Sequence, residues 1–279
     1  MFLEKLIAAQ RQNRSWLCVG LDPVGDRLPP SVRRQEAPLF AFLKAIVDAT
    51  ADLVCAYKPN LGFFLAEGTA GMEALRRIIR YIPDPIPVIL DGKFGDIAHT
   101  AAAYARGAFE TLGADAVTLS PYVGSEAVRP FLAYPDRAVF VLARTSNPGA
   151  GEFQDLAGSP AGEDGPPVPL FLQVARQAVR WAAEGPGTCG LVVGATHPAD
   201  LARLRQIAPT LPFLIPGVGA QGGDLEATVR FGPTHEGIGP IVNVSRAVLY
   251  ASTGEDFARA ARTVAEGLRA TIASLQGPA

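Results

Sequence analysis

Cysteine occurs only three times in 279 residues, at Cys18, Cys55 and Cys189. The odd count, the apolar runs around each residue and the lack of metal-ligand spacing argue against a disulfide framework and predict buried core thiols. No apolar run approaches the ~20 residues that a helix needs to cross a bilayer. The opening segment, Met1-Phe-Leu-Glu-Lys-Leu-Ile, carries charges inside its apolar stretch and reads as a short amphipathic helix, not a signal peptide. A formal net charge of −2 offers no basic surface for nucleic acid or for an anionic membrane. There is no internal repeat and no low-complexity tract. Together these absences predict a cytoplasmic protein that meets neither membrane nor nucleic acid.

Lysine is also scarce. Of 25 basic residues only four are lysine: Lys5, Lys44, Lys58 and Lys93. Arginine supplies nearly every other positive charge, so each remaining lysine is informative. An ammonium can give up a proton near neutral pH and a guanidinium cannot. Lys58 and Lys93 both lie at the ends of apolar, strand-like runs.

Short apolar runs alternate with helical patterns along the whole chain. Strands are predicted at 16–22, 53–58, 86–93, 114–119, 138–144, 189–195, 212–217 and 238–244. Between them lie stripes at helical spacing: Leu39, Leu43, Ile46 and Val47; Met72, Leu75, Ile79 and Ile82; Ile97, Ala101, Tyr104, Ala108 and Leu112. Phe171, Val174, Ala178 and Trp181 form a fourth stripe, and Phe257, Ala261, Val264, Leu268 and Ile272 a fifth. Eight strands alternating with helices predict an α/β fold of the (β/α)8 TIM-barrel type, one domain over 1–279. No glycine-rich dinucleotide fingerprint follows the first strand, which weakens an open doubly wound sheet. The segment 144–169, with ten Gly or Pro among 26 residues, reads as a long active-site loop and not as a domain linker.

Polar residues gather where the predicted strands end: Asp22, Lys58-Pro59-Asn60, Asp91-Gly92-Lys93, Arg144-Thr145-Ser146-Asn147 and Asn243-Val244-Ser245-Arg246. In a barrel these ends meet at one mouth. Any one of them alone reads as a solvated strand end; five together point to a site. Asp91 and Lys93, two apart on a strand, face the same side, and Gly92 between them leaves room for backbone to approach. Asp96, just before the helical pattern at Ile97, is either an N-cap or a member of the cluster. Asp91 and Lys93 read equally as a structural ion pair. Alternating Lys58, Asp91, Lys93 and Asp96 would neutralise one another and produce the shifted pKa values that proton transfer requires. Farther along, Pro216-Gly-Val-Gly-Ala-Gln221-Gly-Gly follows the seventh strand and Arg246 the eighth, a pattern suited to a phosphate group.

The run Asp91-Gly-Lys93-Phe-Gly-Asp96-Ile97, with Thr100-Ala101 after it, resembles the signature of the orotidine 5′-phosphate decarboxylase family. Leu21-Asp22-Pro23, Tyr57-Lys58-Pro59-Asn60, Arg144-Thr-Ser-Asn-Pro-Gly149, Pro216-Gly-Val-Gly-Ala-Gln221 and Asn243-Val-Ser-Arg246 match in order, most like the longer bacterial subfamily. Phe94 departs where many relatives carry a basic residue, and His99 sits at a variable position. The resemblance implies loss of CO2 from orotidine 5′-phosphate to give UMP, with no cofactor and no metal. It further implies that Lys93 protonates C6, that Asp91 faces the substrate carboxylate, and that Lys58 belongs to the charged array. Asp22 and Lys58 would contact the ribose, Ser146 the pyrimidine edge and Pro216 the ring, with Gln221 and Arg246 on the 5′-phosphate. A homodimer is implied, with Asp96 and Thr100 reaching the neighbouring site. Two rivals remain: a magnesium-dependent sugar-phosphate enzyme of the same superfamily, disfavoured by Lys58, and a non-catalytic nucleotide sensor, which would not require the lysine–aspartate array.

Overall fold

The computed structural model describes residues 1–159, 166–218 and 222–276. Eight strands alternate with helices: β1 (Leu17–Leu21), β2 (Ala56–Pro59), β3 (Ile89–Phe94), β4 (Ala116–Leu119), β5 (Ala138–Arg144), β6 (Thr188–Val193), β7 (Phe213–Pro216) and β8 (Ile241–Val244). They form one parallel sheet in the order β2-β1-β8-β7-β6-β5-β4-β3. Parallel bridges Tyr57↔Val88 and Asn60↔Asp91 join its two edges, which closes the ring into a barrel. All eight predicted strands are present. The largest boundary shift is three residues, at the starts of β2, β3 and β8, where the buried residues Leu53, Val54, Ile86 and Ile238 lead in without joining the ladder. Pro87 and Pro240 lie just before β3 and β8 and cannot donate to a neighbouring strand.

The side-chain period of two sorts the strand residues into two cores. Leu17, Val19 and Leu21 of β1, with Val117 and Leu119 of β4, face outward. They pack under helices such as Pro38–Thr50, Gly68–Tyr81 and Phe257–Leu275. The alternate residues Cys18, Ala56, Ile89, Ala116, Phe140, Val192, Leu214 and Ile241, one from each strand, meet inside the barrel. The amphipathic helix Phe2–Asn13 closes the lower end, with the Phe2 ring edge-on to Phe140 at 5.8 Å. All three cysteines are free and buried, as their apolar surroundings predict.

One sequence expectation needs correction, and one segment gains detail. The helix after β3 begins at Ala98, not at Ile97, and Ile97 is 52% exposed, so it lies outside the apolar stripe assigned to it. The segment 144–169 contains a helical turn at Gly151–Gln154 and a two-stranded pairing of Ala157–Gly158 with Val168–Pro169; residues 160–165 lie outside the described region.

Interior positions carry apolar side chains low in the barrel and change to polar ones towards the C-terminal end. Gly20 sits at that transition, and a Cβ there would run into the Ser245 side chain. Gly20→Ala should therefore destabilise the fold by about 1–3 kcal/mol through overpacking, measured as a lower urea midpoint with an unchanged slope.

Candidate active site

Following each interior row upward by two residues leads from the core into the site. Cys18 leads through Gly20 to Asp22, Ala56 leads to Lys58, Ile89 to Asp91, Ala116 to Thr118, and Ile241 to Asn243. The register sets Gly20 beside Lys58, and sets Asn243 one interior layer lower, beside Cys18. The mouth holds a cavity of about 180 Å³ lined by Asp22, Lys58, Asp91, Ser146, Pro216 and Arg246, together with neighbouring residues of β7 and β8.

Asp91 is the centre of this mouth and is 8% exposed. Lys58 Nζ donates to its Oδ2 at 2.6 Å, and Lys93 Nζ donates to its Oδ1 at 2.7 Å. Thr118 Oγ1 donates to Oδ1 at 2.8 Å, and Asn60 Nδ2 approaches Oδ2 at 3.5 Å. Lys58 is as buried as Asp91, whereas the Lys93 side chain is 51% exposed. Strand β3 is irregular here: four steps from Leu90 to Phe94 oppose two from Val117 to Leu119, and Lys93 takes a left-handed φ of 46°. Such an irregularity re-aims side chains at the rim of a sheet. Here it leaves the Lys93 ammonium on the same side as Asp91. Gly92 has a role different from the one expected of it. The Phe94 ring fills the space a Cβ would need there; that ring stacks on Phe131 at 5.8 Å and lies tilted against Tyr104 at 5.0 Å.

Of the residues singled out in the sequence, Asp22, Lys58, Asp91, Ser146, Pro216 and Arg246 line this one cavity, and Lys93 is bonded to Asp91. Asp22 Oδ1 is buried without a hydrogen-bond partner among the described residues. Asp96 and Thr100 do not line the cavity of their own chain. Nor is Asp96 an N-cap: Ile97 holds that position, and among the described residues the Asp96 carboxylate accepts only from the adjacent Ile97 N–H, at 2.8 Å. Gln221 lies outside the described residues. His99 is exposed. Sequence reasoning missed Thr118, which resembles one more β-branched residue in an apolar strand. The period of two, started from Ala116, would have found it.

A family model described as "Orotidine 5'-phosphate decarboxylase / HUMPS family" matches residues 15–261. The chain belongs to this family. An orotidine 5'-phosphate decarboxylase from Thermomicrobium roseum is 54% identical over 97% of this chain and 94% of its own length. Among solved structures, OMP decarboxylase from Leishmania donovani matches with a TM-score of 0.82 and 40% identity, covering 100% of this chain and 99% of that one. UMP synthase from the same organism matches at 42% identity and a TM-score of 0.82 over 97% of this chain, which spans only 56% of it.

Electrostatics explain how the chain can bury this array. Burial alone pushes the Asp91 carboxyl upward; the Lys58 and Lys93 ammoniums outweigh that and hold it well below the usual carboxylate range. Burial alone would lower Lys58, yet Asp91 and Asp22 raise it above the ordinary lysine value. Both groups are therefore charged throughout the neutral range. Burial also pushes the Cys18 thiol, beneath the site, up to about 12, so it stays protonated there.

A carboxylate whose folded pKa is depressed contributes stability that is complete above its unfolded value of about 3.9 and is lost as pH falls towards the folded one. The stability difference between the wild type and Asp91→Asn should thus be level above about pH 5 and shrink between about pH 5 and pH 3, as urea titrations at each pH would record. A difference that stays constant across that window would contradict the ionised, doubly paired Asp91.

No group of three or more His, Cys, Asp or Glu side chains among the described residues is placed to hold a metal ion. No helix among them is long and apolar enough to cross a membrane.

Proposed function

We propose that this chain converts orotidine 5′-phosphate to UMP and CO2, a step of pyrimidine biosynthesis in the cytoplasm, using only its own side chains. The observation that carries this reading is the buried Lys58–Asp91–Lys93 array at the barrel mouth. Loss of CO2 leaves a carbanion at C6 with no adjacent carbonyl to delocalise it. A fixed ammonium beside that carbon stabilises the charge as it develops and then supplies the proton. Lys93 fits this role, because its side chain is half-exposed and one hydrogen bond holds its ammonium to Asp91, which lines the cavity. Asp91 would face the substrate carboxylate. Lys58, buried against Asp91, places a positive charge where a bound divalent cation would be repelled, which favours a metal-independent reaction.

The remaining lining residues suit the rest of the nucleotide. Asp22 brings an unpartnered acceptor for a ribose hydroxyl, and Lys58 lies beside it. Ser146 offers a hydroxyl to the pyrimidine edge, and Pro216 an apolar face to the ring. Arg246, exposed and without a carboxylate partner among the described residues, suits the 5′-phosphate, joined by Gln221. Phosphate binding far from C6 can hold the loops and the reacting geometry, so a nucleoside lacking it should lose turnover as well as affinity.

Asp96 and Thr100 are assigned to the site of a second subunit in a homodimer. Their absence from their own chain's cavity supports this. So does the exposed apolar surface nearby, where Ile97, Tyr104, Tyr122 and Val123 are 52, 44, 83 and 41% exposed.

The deciding experiment follows CO2 release from orotidine 5′-phosphate in excess chelator. Full turnover is expected, and Lys93→Ala should abolish it while UMP still binds. An absolute requirement for magnesium would defeat the reading, and so would wild-type protein that binds UMP without consuming orotidine 5′-phosphate. A mixing experiment tests the shared site. Lys93→Ala and Asp96→Ala should each be nearly inactive, and subunit exchange should restore about a quarter of wild-type activity. Half of randomly paired dimers are mixed, and each has one intact site of two. No recovery after demonstrated exchange would place Asp96 in its own chain's site.

A further inference from the structure

We infer that Thr118 is a positioning residue, whose hydroxyl sets the Lys93 ammonium and the Asp91 carboxylate in register with the substrate. The inference rests on the reading of Lys93 as the proton donor. Thr118 lies in the interior row of β4, 2% exposed, directly above Ala116. Its hydroxyl makes two bonds of fixed polarity. Asp91 is ionised and can only accept, so Thr118 Oγ1 donates to Asp91 Oδ1 at 2.8 Å. The Lys93 backbone N–H can only donate, so the same oxygen accepts it at 2.9 Å. The hydroxyl's proton and one of its lone pairs are therefore both committed.

Those two bonds act on the least regular stretch of the barrel. A lysine in left-handed backbone is held there by its surroundings, because a residue with a Cβ does not favour that conformation. The bulge removes the ordinary ladder partner of the Lys93 N–H, and Thr118 replaces it. The same side chain fixes the rotation of Asp91, whose Oδ1 also receives the Lys93 ammonium. One hydroxyl thus ties the backbone of the proton donor to the carboxylate that holds its tip. Loss of the hydroxyl takes away the acceptor of the Lys93 N–H and removes one of the bonds that orient Asp91, and both Lys93 and Asp91 can shift. A displacement of about 1 Å at a reacting group can cost about 100-fold in rate.

The test compares Thr118→Val, which keeps the branched shape, with Thr118→Ser, which keeps the hydroxyl. Turnover of orotidine 5′-phosphate, affinity for UMP and thermal midpoint are measured for both and for the wild type. Thr118→Val should lose about 10- to 100-fold in kcat, with KM and UMP affinity within about threefold of wild type, the pattern of an interaction needed at the transition state. Thr118→Ser should recover to within about threefold of wild-type kcat. If Thr118→Val is too unstable to assay, Thr118→Ser against Thr118→Ala makes the same comparison. A hydroxyl-free variant with a lowered thermal midpoint but wild-type kcat would overturn the inference and leave the proposed reaction standing, because Thr118 would then serve only the fold. Wild-type protein that releases no CO2 would overturn both.

Discussion

The mouth of this barrel depends on the ionised carboxylate of Asp91. Taking one charge out of water costs several kcal/mol even after relaxation, and Lys58 brings a second equally buried charge beside it. The cost is offset only because the two are bonded to each other at 2.6 Å and Asp91 has further donors around it: Lys93, Thr118 and, at longer range, Asn60. Each donor comes from a fixed place in the scaffold. Lys58 and Asn60 lie on or just after β2, Thr118 on β4, and Lys93 on β3 itself. The carboxylate thus links three neighbouring strands near the point where the sheet closes on itself. The bridge Asn60↔Asp91 is one of the two that close it.

Much of this was legible in the sequence, and physical reasons separate what was from what was not. Apolar runs such as Ala138–Arg144 must be strands covered on both faces, so barrel and strand ends follow from composition and spacing. Residues at those ends could be named before their geometry was known. The scarcity of lysine was a less specific signal than it looked. Lys58 and Lys93 are in the mouth, but Lys5 pairs with Asp115 at 2.9 Å, an ion pair next to the helix that closes the lower end, and Lys44 pairs with Asp48 on an exposed helix face. Backbone irregularity could not be read at all. Nothing in Asp91-Gly92-Lys93-Phe94 announces a left-handed lysine, and a regular strand would have predicted the same-side placement of Asp91 and Lys93 for a different reason. The space above Gly92 belongs to the Phe94 ring, a tertiary fact with no local signature.

The segment after β5 depends on a second buried charge. Arg144, 6% exposed, pairs with Asp155 at 2.8 Å and with Asp200 at 3.0 Å. Asp155 ends the helical turn Gly151–Gln154, and Asp200 lies in the first turn of the helix Pro198–Ile207. Gln154 adds bonds to Thr145 from both ends of its amide, at 3.0 and 2.7 Å. Ser146 is therefore carried on a segment that these bonds anchor, which suits its proposed contact with the pyrimidine edge.

Burial also separates the roles of the two lysines. Lys58 is enclosed, with its ammonium committed to Asp91, and the neighbouring carboxylates hold its proton more tightly than in water. Such a group shapes the field but is a poor acid. Lys93 has the same partner, yet half of its side chain is exposed, and among the described residues only one of the three ammonium protons is bonded. The other two are free to meet a substrate and, in a dimer, the partner's carboxylate. A proton donor needs a tether to set its position and a free proton to give. Among the described residues Lys93 has both, with Asp91 as the tether, which suits it to the proposed proton donation.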